Sequence, residues 1–391
     1  MPDARALRVL FLTHSYPRVA GDAPGSFLLH LAVALRAEGV EVRVVAPSAA
    51  GLAAHEAIEG IPVDRFRYAP RRHETLAYTG EMAHAVRHSW SGRLALVGFL
   101  GGQLGAATRV RRAFTPDLIH AHWWFPGGLV GSWASGLARL PLVTTMHGSD
   151  VRLTRAVAVA RPLFRRVLRH SRAVTTVSRW LAAEVRDMAP GVSPLVAPMP
   201  VSTALFHPGG VRAGDRLLFV GRLNSQKGVA LLLEAVARMR HRVTLDLVGS
   251  GPDADRLRDQ ASHLGIADRL VWHGTQPQTA LPDFYRRASA VVVPSVGEGL
   301  GLVAVEAQLC EAPVVAFDSG GITDTVVSGE TGLLVAPGDV DALAAALDRC
   351  FDDPELRLAL GRAGRVSALG DFAPESAARR YATLYRSVVG S

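Results

Sequence analysis

The sequence predicts an α/β chain made of two doubly wound, Rossmann-like domains facing each other across a cleft. Three observations carry that prediction. Short apolar runs alternate with amphipathic stretches along nearly all of the 391 residues, the pattern of repeated βαβ units. The chain exceeds the roughly 250–300 residues at which a single core stops growing. The alternation breaks once, at APMPVSTALFHPGGVRAGD (197–215), a stretch rich in Pro and Gly, and then restarts.

The strands expected in the first half are 8–12, 41–46, 117–121, 142–145 and 173–177. Those in the second are 216–220, 243–248, 270–272, 290–293 and 314–316. They are short β-branched and aliphatic runs without clear alternation, as suits strands covered by helices on both faces. The helices expected between them include 26–38, with Ser26 as N-cap and Gly39 as stop, then 179–187, 229–239 and 301–309. The boundaries that follow are an acceptor-side domain at 1–200 and a second domain at 201–370. A terminal helix at 371–391 is expected to pack back toward the first. In open parallel sheets ligands bind beyond the carboxyl ends of the strands, so the cleft is the expected site.

Composition narrows the function. A hydrophobic content of 49% with 20% charged residues excludes a disordered chain. Cys310 and Cys350 both fall in apolar, helical-looking context, so no disulfide framework is expected and a reducing cytoplasm is. No run reaches the 18 or so apolar residues of a membrane span, and the charge-free, mostly apolar stretch 94–108 is expected to form a buried helix. The amino-terminal apolar run reads as a first strand rather than a signal peptide. Charge is divided unevenly: residues 1–200 hold 24 Arg against 13 acidic residues, and residues 201–391 hold 19 basic against 22 acidic. The first half is therefore the side expected to meet an anionic partner, such as a membrane surface at the inner face or a phosphorylated substrate. A nucleic-acid or other anionic-ligand binder without catalysis is the rival reading. It lacks any zinc-finger, RNA-recognition or helix-turn-helix pattern, and the basic excess avoids the half richest in motifs.

Of the 43 Lys and Arg residues one alone is lysine, Lys227, and it lies in VGRLNSQKG (220–228) between a strand and a helix. Arg222 offers a planar fork and Lys227 a compact point charge, with Gly221 and Gly228 letting the backbone turn, which together suit a phosphate clamp. The P-loop pattern GxxxxGK[ST] is absent. The second constellation is VVPSVGEGLGLVAVEA (292–307), a buried strand, a Gly-rich loop and a helix. The new helix aims its first N–H groups and its positive dipole end at whatever occupies the loop, which favours a diphosphate. Glu306, set among Leu302, Val303, Val305, Ala307 and Leu309, is costly unless hydroxyl or guanidinium donors reach it. Sugar or ribose hydroxyls fill that need, and so does an arginine.

The runs VGRLNSQKGVALLLEAV, LVGSGPDADRLRDQA and VVPSVGEGLGLVAVEAQLCEAPVVAFDSGGITDTVVSGETGLLVAPGDVDALAAAL resemble the donor-binding half of the retaining glycosyltransferases with the GT-B fold. They are most similar to family 4, the large family that holds sucrose-phosphate synthases and bacterial phosphatidylinositol mannosyltransferases. Glu298 and Glu306 match its E-x7-E pattern. The resemblance implies that Glu298 binds the donor sugar and Glu306 the nucleotide ribose. It implies that Arg222 and Lys227 hold the diphosphate with Gly299 and the backbone of Gly301, Leu302 and Val303. In the first half, SYPRVAGDAPGSFLLHLAVALRAEGVEVRVVAP resembles the family's opening strand, loop and helix, with Gly21 and Gly25 in place of its paired glycines on the donor side. MHGSD matches a His-Gly-x-Asp stretch, which implies His147 on a donor-sugar hydroxyl and Asp150 near the acceptor. The resemblance implies transfer of a hexosyl group from a UDP- or GDP-sugar to an acceptor hydroxyl, with neither a metal nor a cofactor beyond the nucleotide sugar. The acceptor stays open between a lipid-linked or glycan intermediate and a small soluble metabolite.

HAHWWFPGG (120–128) is left over. His120 and His122 face one side of a strand, but no third metal ligand is placed. Trp123 and Trp124 are expected in an acceptor wall, with core packing an equal reading for one of them. GSGPDA (249–254) mimics a dinucleotide fingerprint, but Asp268 stands at the start of the next strand and not at its end, so a dehydrogenase does not fit.

Overall fold

The computed structural model describes residues 5–78, 82–210 and 214–390. The chain forms two compact units, residues 1–200 with 374–391, and residues 201–373.

In the first unit the strands are β1 (Leu7–Leu12), β2 (Val40–Pro47), β3 (His55–Ile58), β4 (Ile61–Phe66), β5 (Leu118–His122), β6 (Leu142–Met146), β7 (Ala173–Thr176) and β8 (Leu195–Val196). Its helices are α1 (Ser26–Leu35), α2 (Met82–His88), α3 (Trp90–Phe114), α4 (Leu129–Ala138), α5 (Ser149–Ala156), α6 (Arg161–His170) and α7 (Arg179–Met188). The sheet order is β3-β4-β2-β1-β5-β6-β7-β8, parallel except for the β3–β4 pair. β1 is buried along its last four residues and β5 and β6 throughout, the burial expected of central strands.

The second unit carries β9 (Arg216–Val220), β10 (Thr244–Val248), β11 (Leu270–Gly274), β12 (Ala290–Val293), β13 (Val314–Phe317) and β14 (Leu333–Val335). Around them run α8 (Val229–Arg238), α9 (Ala254–His263), α10 (Leu281–Arg287), α11 (Leu302–Leu309), α12 (Val340–Asp352) and α13 (Pro354–Phe372). Its sheet is wholly parallel, in the order β11-β10-β9-β12-β13-β14. The chain enters and leaves this unit at one place, where the Val201 N–H donates to the Phe372 carbonyl at 3.0 Å.

Three local expectations are corrected. Ser26 does not cap α1; the cap position is Gly25 at φ 74, and a Cβ there would lie 2.6 Å from the Ser15 carbonyl oxygen. Only glycine permits that turn and that approach together. The stretch 94–108 is not wholly buried. One face of α3 (Ala95, Phe99, Ala106, Val110) enters the core, while Trp90, Leu94 and Val97 are 77%, 71% and 69% exposed. The edge elements β3, β4, β8 and β14 escape the sequence reading. Among the described residues no helix is long and apolar enough to cross a membrane.

The last helix, α14 (Pro374–Val389), packs on α1 of the first unit. Two fully buried tyrosines key it in. The Tyr385 hydroxyl is hydrogen-bonded to His120 Nδ1 at 2.7 Å, and His120 Nε2 to Thr145 Oγ1 at 2.7 Å. Tyr381 donates to the Ala197 carbonyl at 3.1 Å. His120 and its neighbour His122 are fully buried, and desolvation drives His120 down to about 3 and His122 well below its ordinary value. Both are therefore neutral in the fold and take up protons only on unfolding. The stability this gives is present above the unfolded value of about 6.5 and is lost as pH falls below it, for His120 down to about 3, by about 1.4 kcal/mol per pH unit. Urea unfolding between pH 7.5 and 5 is expected to show that slope. Tyr385→Phe leaves His120 Nδ1 unpartnered and is expected to cost about 1–3 kcal/mol at pH 7.5; a variant as stable as the parent would dismiss this keying role.

Candidate functional site

In the second unit chain order runs outward from β9 through β10 to β11, then returns to β12 beside β9 and runs the other way. The loops that follow β9 and β12 therefore open side by side at the point where strand order reverses, where doubly wound sheets bind ligands. Their approach is extreme. Gly228, at φ 67, begins α8, and a Cβ on it would lie 1.9 Å from the Pro294 carbonyl oxygen. The Val296 N–H donates to the Gln226 carbonyl at 3.2 Å, tying one loop to the other.

The two loops bring the predicted charges together. Asn224 Oδ1 accepts from the Lys227 N–H at 3.2 Å and fixes the turn, and the Lys227 ammonium then forms an ion pair with the Glu298 carboxylate. Lys227 and Glu298 lie in the same unit, and the reach is from loop to loop. Arg222 is half-buried at the start of the first loop. The Glu298 loop is held from the far side, since the Gly321 N–H donates to the Glu298 carbonyl at 2.8 Å and Gly297 N–H to Ser319 Oγ at 3.1 Å. A Cβ on Gly321 would lie 2.2 Å from the Gly299 carbonyl oxygen, so Gly299 is also pinned. Gly301, at φ 87, caps α11, whose first amides at Leu302 and Val303 have no intrahelical carbonyl to meet.

Glu306 is 9% exposed, and the Tyr285 hydroxyl donates to its Oε2 at 2.6 Å. Burial raises the Glu306 carboxyl to about 7, against the hydrogen bonds from Tyr285 and Gln278. Neither supporting residue was foreseen. They are 21 and 28 positions upstream of Glu306, and no spacing rule links them to it.

In the first unit the reversal point lies between β1 and β5. Gly21 makes a tight turn at φ 80 in the loop after β1, and Gly25 sits against Ser15 in the same loop. The loop after β5 places Trp123 at φ 63, a strained conformation for a bulky residue. Its ring lies between His14 and His147, each 4.2 Å away by centroid, and its indole N–H donates to Ser149 Oγ at 3.1 Å. His147 is half-buried, its Nε2 lies 3.2 Å from His122 Nδ1, and desolvation holds it neutral. His122 is thus a support for His147 that the sequence reading weighed only as a metal ligand. Among the described residues no group of three or more His, Cys, Asp or Glu is placed to hold a metal ion.

One acceptor expectation, the place of Trp124, is corrected here. Trp124 is 2% exposed, packs on Phe164 and donates to the Asp150 carbonyl, so it belongs to the core rather than to an acceptor wall. The Asp150 carboxylate accepts from the N–H groups of Trp124, His147, Gly148 and Val151 at 3.0–3.2 Å, which makes it a loop clip already satisfied. Trp123 does border open space. It lines a cavity of about 640 Å³ together with His14, Phe125, Leu153 and residues of α2 and α3.

Residues 212–367 match the family model described as glycosyl transferases group 1, and residues 23–200 match that of the glycosyl transferase 4-like domain. The chain is 30% identical to the glycogen synthase of Mycobacterium tuberculosis, over 97% of this chain and 94% of that protein. It is 38% identical to the D-inositol 3-phosphate glycosyltransferase of Acidothermus cellulolyticus, over 65% of this chain and 63% of that one. In structure it is similar to the sucrose-phosphate synthase of Thermosynechococcus elongatus, with a TM-score of 0.81, 24% identity and coverage of 98% and 99% of the two chains. That likeness shows the GT-B fold.

Glu306 yields a test of its site. A ligand whose hydroxyls donate to Glu306 binds the carboxylate, so below about pH 7 binding must first expel a proton, and affinity is expected to fall up to tenfold per pH unit. Calorimetric titration with UDP and GDP from pH 8 to 5.5 reads this, with Glu306→Gln as the baseline for the ligands' own titration. Tyr285→Phe removes a bond that lowers the Glu306 value and is expected to move the break to higher pH. Equal slopes in the parent and Glu306→Gln would take Glu306 out of the site.

Proposed function

This chain belongs to the glycosyl transferases of group 1, and from that premise we propose that it moves a hexosyl group from a UDP- or GDP-sugar to an acceptor hydroxyl, with retention at the anomeric carbon and no metal ion. The observation that carries this reading is the meeting of two loops at the reversal point of the second unit's sheet, one bearing Arg222 and Lys227, the other Glu298 and the start of α11. The family places the chain among enzymes that use nucleotide sugars, which supports this reading over the non-catalytic one.

As the bond between the anomeric carbon and the phosphate oxygen breaks, the leaving nucleoside diphosphate gains negative charge. Arg222, Lys227 and the amides of Leu302 and Val303 meet that charge with groups already in place, the largest source of catalysis in such reactions. The Lys227–Glu298 pair keeps both charges compensated before the donor arrives. In the proposed reaction the ammonium then shares itself with the diphosphate, and Glu298 accepts from donor-sugar hydroxyls. Glu306, supported by Tyr285, takes the ribose. The acceptor oxygen bonds to the anomeric carbon on the face the diphosphate leaves, and the acceptor's proton passes to the departing phosphate oxygen. His147, held neutral, is able to accept from or donate to a substrate hydroxyl.

Peripheral contact of the first unit with an anionic membrane surface belongs to the same proposal. Its support is the basic excess of residues 1–200 and the exposed stripe Trp90, Leu94 and Val97, one face of α3 by spacing, with the Arg93 guanidinium 4.8 Å from the Trp90 ring centroid.

Lys227→Ala is expected to abolish the thermal stabilisation given by UDP or GDP and to lower turnover about 10²- to 10³-fold, with Lys227→Arg recovering part of it. A nucleotide shift that survives Lys227→Ala removes the lysine from the clamp. Activity is expected to be the same with and without EDTA; a loss that Mg²⁺ or Mn²⁺ restores would overturn metal independence.

A further inference from the structure

The cavity of about 640 Å³ in the first unit lies beyond the carboxyl ends of β1 and β5, the ligand position of this topology. Its volume is that of a small-molecule site. Met82 and Val86 of α2, Leu96 of α3, Leu153 of α5, with Leu76 and Val157, give it an apolar wall.

Several polar groups on that wall are engaged inside the protein. The Asp150 carboxylate is saturated by four backbone N–H groups. Tyr78 donates to the Pro47 carbonyl and accepts from Arg65, both at 2.9 Å. Ser149 Oγ accepts from Trp123. Among the described lining residues Arg87, at the exposed end of α2, is the one arginine. A sugar phosphate buried here would meet neither the paired donors nor the counter-charges it needs. His14 and Ser15 bring polar side chains to the lining; the His14 ring lies 4.2 Å from the Trp123 ring by centroid, and its buried Nδ1 has no hydrogen-bond partner among the described residues.

We propose that this cavity takes the apolar body of the acceptor, which is therefore an amphiphilic alcohol with its hydroxyl-bearing end at His14 and its hydrocarbon or aromatic part among Val86, Leu96 and Leu153. The inference rests on the transferase reading and names the substrate class of its acceptor side. The transfer is the one described above: the acceptor oxygen replaces the diphosphate oxygen on the anomeric carbon and its proton leaves with the diphosphate. The same chemistry is offered by a membrane lipid and by a free hydrophobic aglycone.

The test uses the full chain and n-alkyl β-D-glucosides of increasing chain length, kept below their micelle concentrations, with binding read by calorimetry. Affinity is expected to rise about fourfold per added methylene until the cavity is full. Leu153→Gln and Val86→Gln, each made separately, are expected to weaken the longest probe at least tenfold while stabilisation by UDP or GDP, a property of the second unit, is kept. Affinity that does not depend on chain length, with nucleotide binding intact, overturns the amphiphilic acceptor and spares the transferase. Failure of every nucleotide and nucleotide sugar to bind overturns the transferase reading, and this inference with it. Sedimentation with phosphatidylcholine–phosphatidylglycerol vesicles separates the sources. Chain-length-dependent binding together with co-sedimentation that Leu153→Gln reduces supports a lipid; the same binding without co-sedimentation supports a free aglycone.

Discussion

The candidate site of the second unit depends on how closely two loops of one sheet approach each other. Gly228 stands where a single methyl group would collide with the Pro294 carbonyl, and that contact sets the rest. It starts α8 within reach of the loop that starts α11, so the positive ends of two helices converge on one place. It also lets the Lys227 side chain cross from one loop to Glu298 on the other. Two carboxylates, Glu298 and Glu306, then temper a region that would otherwise be strongly electropositive, and each has its own support behind it.

The first unit repeats the topology and reverses the chemistry. Its reversal point, between β1 and β5, gathers the rings of His14, Trp123 and His147 and is bordered by aliphatic side chains, and the Asp150 carboxylate there is held by backbone N–H groups. A doubly wound sheet supplies a position for a ligand, and the side chains in the loops decide which ligand. Here one sheet presents charge and the other presents apolar side chains.

Most of the sheet cores were legible in the sequence because strands covered on both faces are unbroken apolar runs, as β9 and β12 are. The edge hairpin β3–β4 was not, since His55, Glu56 and Asp64 interrupt any such run. In the loops after β9 and β12 the residue types were legible because the chemistry is local: a lone lysine, glycines and two glutamates within short segments. What escaped was contact across the chain. Tyr285 behind Glu306, His14 on Trp123 and the amides around Asp150 depend on which loops the topology makes neighbours. Trp124 shows the limit within a single motif, because adjacent residues of the same type part company, one toward open space and one into the core.

The return of α14 to the first unit has a consequence for the order in which the protein is made. The second unit is continuous in the chain, residues 201–373, and every partner it uses is synthesised in one stretch. The first unit is split. His120 in its central strand meets its hydroxyl partner only at Tyr385, 265 residues later. On a ribosome the domain that begins first is thus the one completed last, and until the final helix emerges a buried histidine at its centre lacks the group that satisfies it.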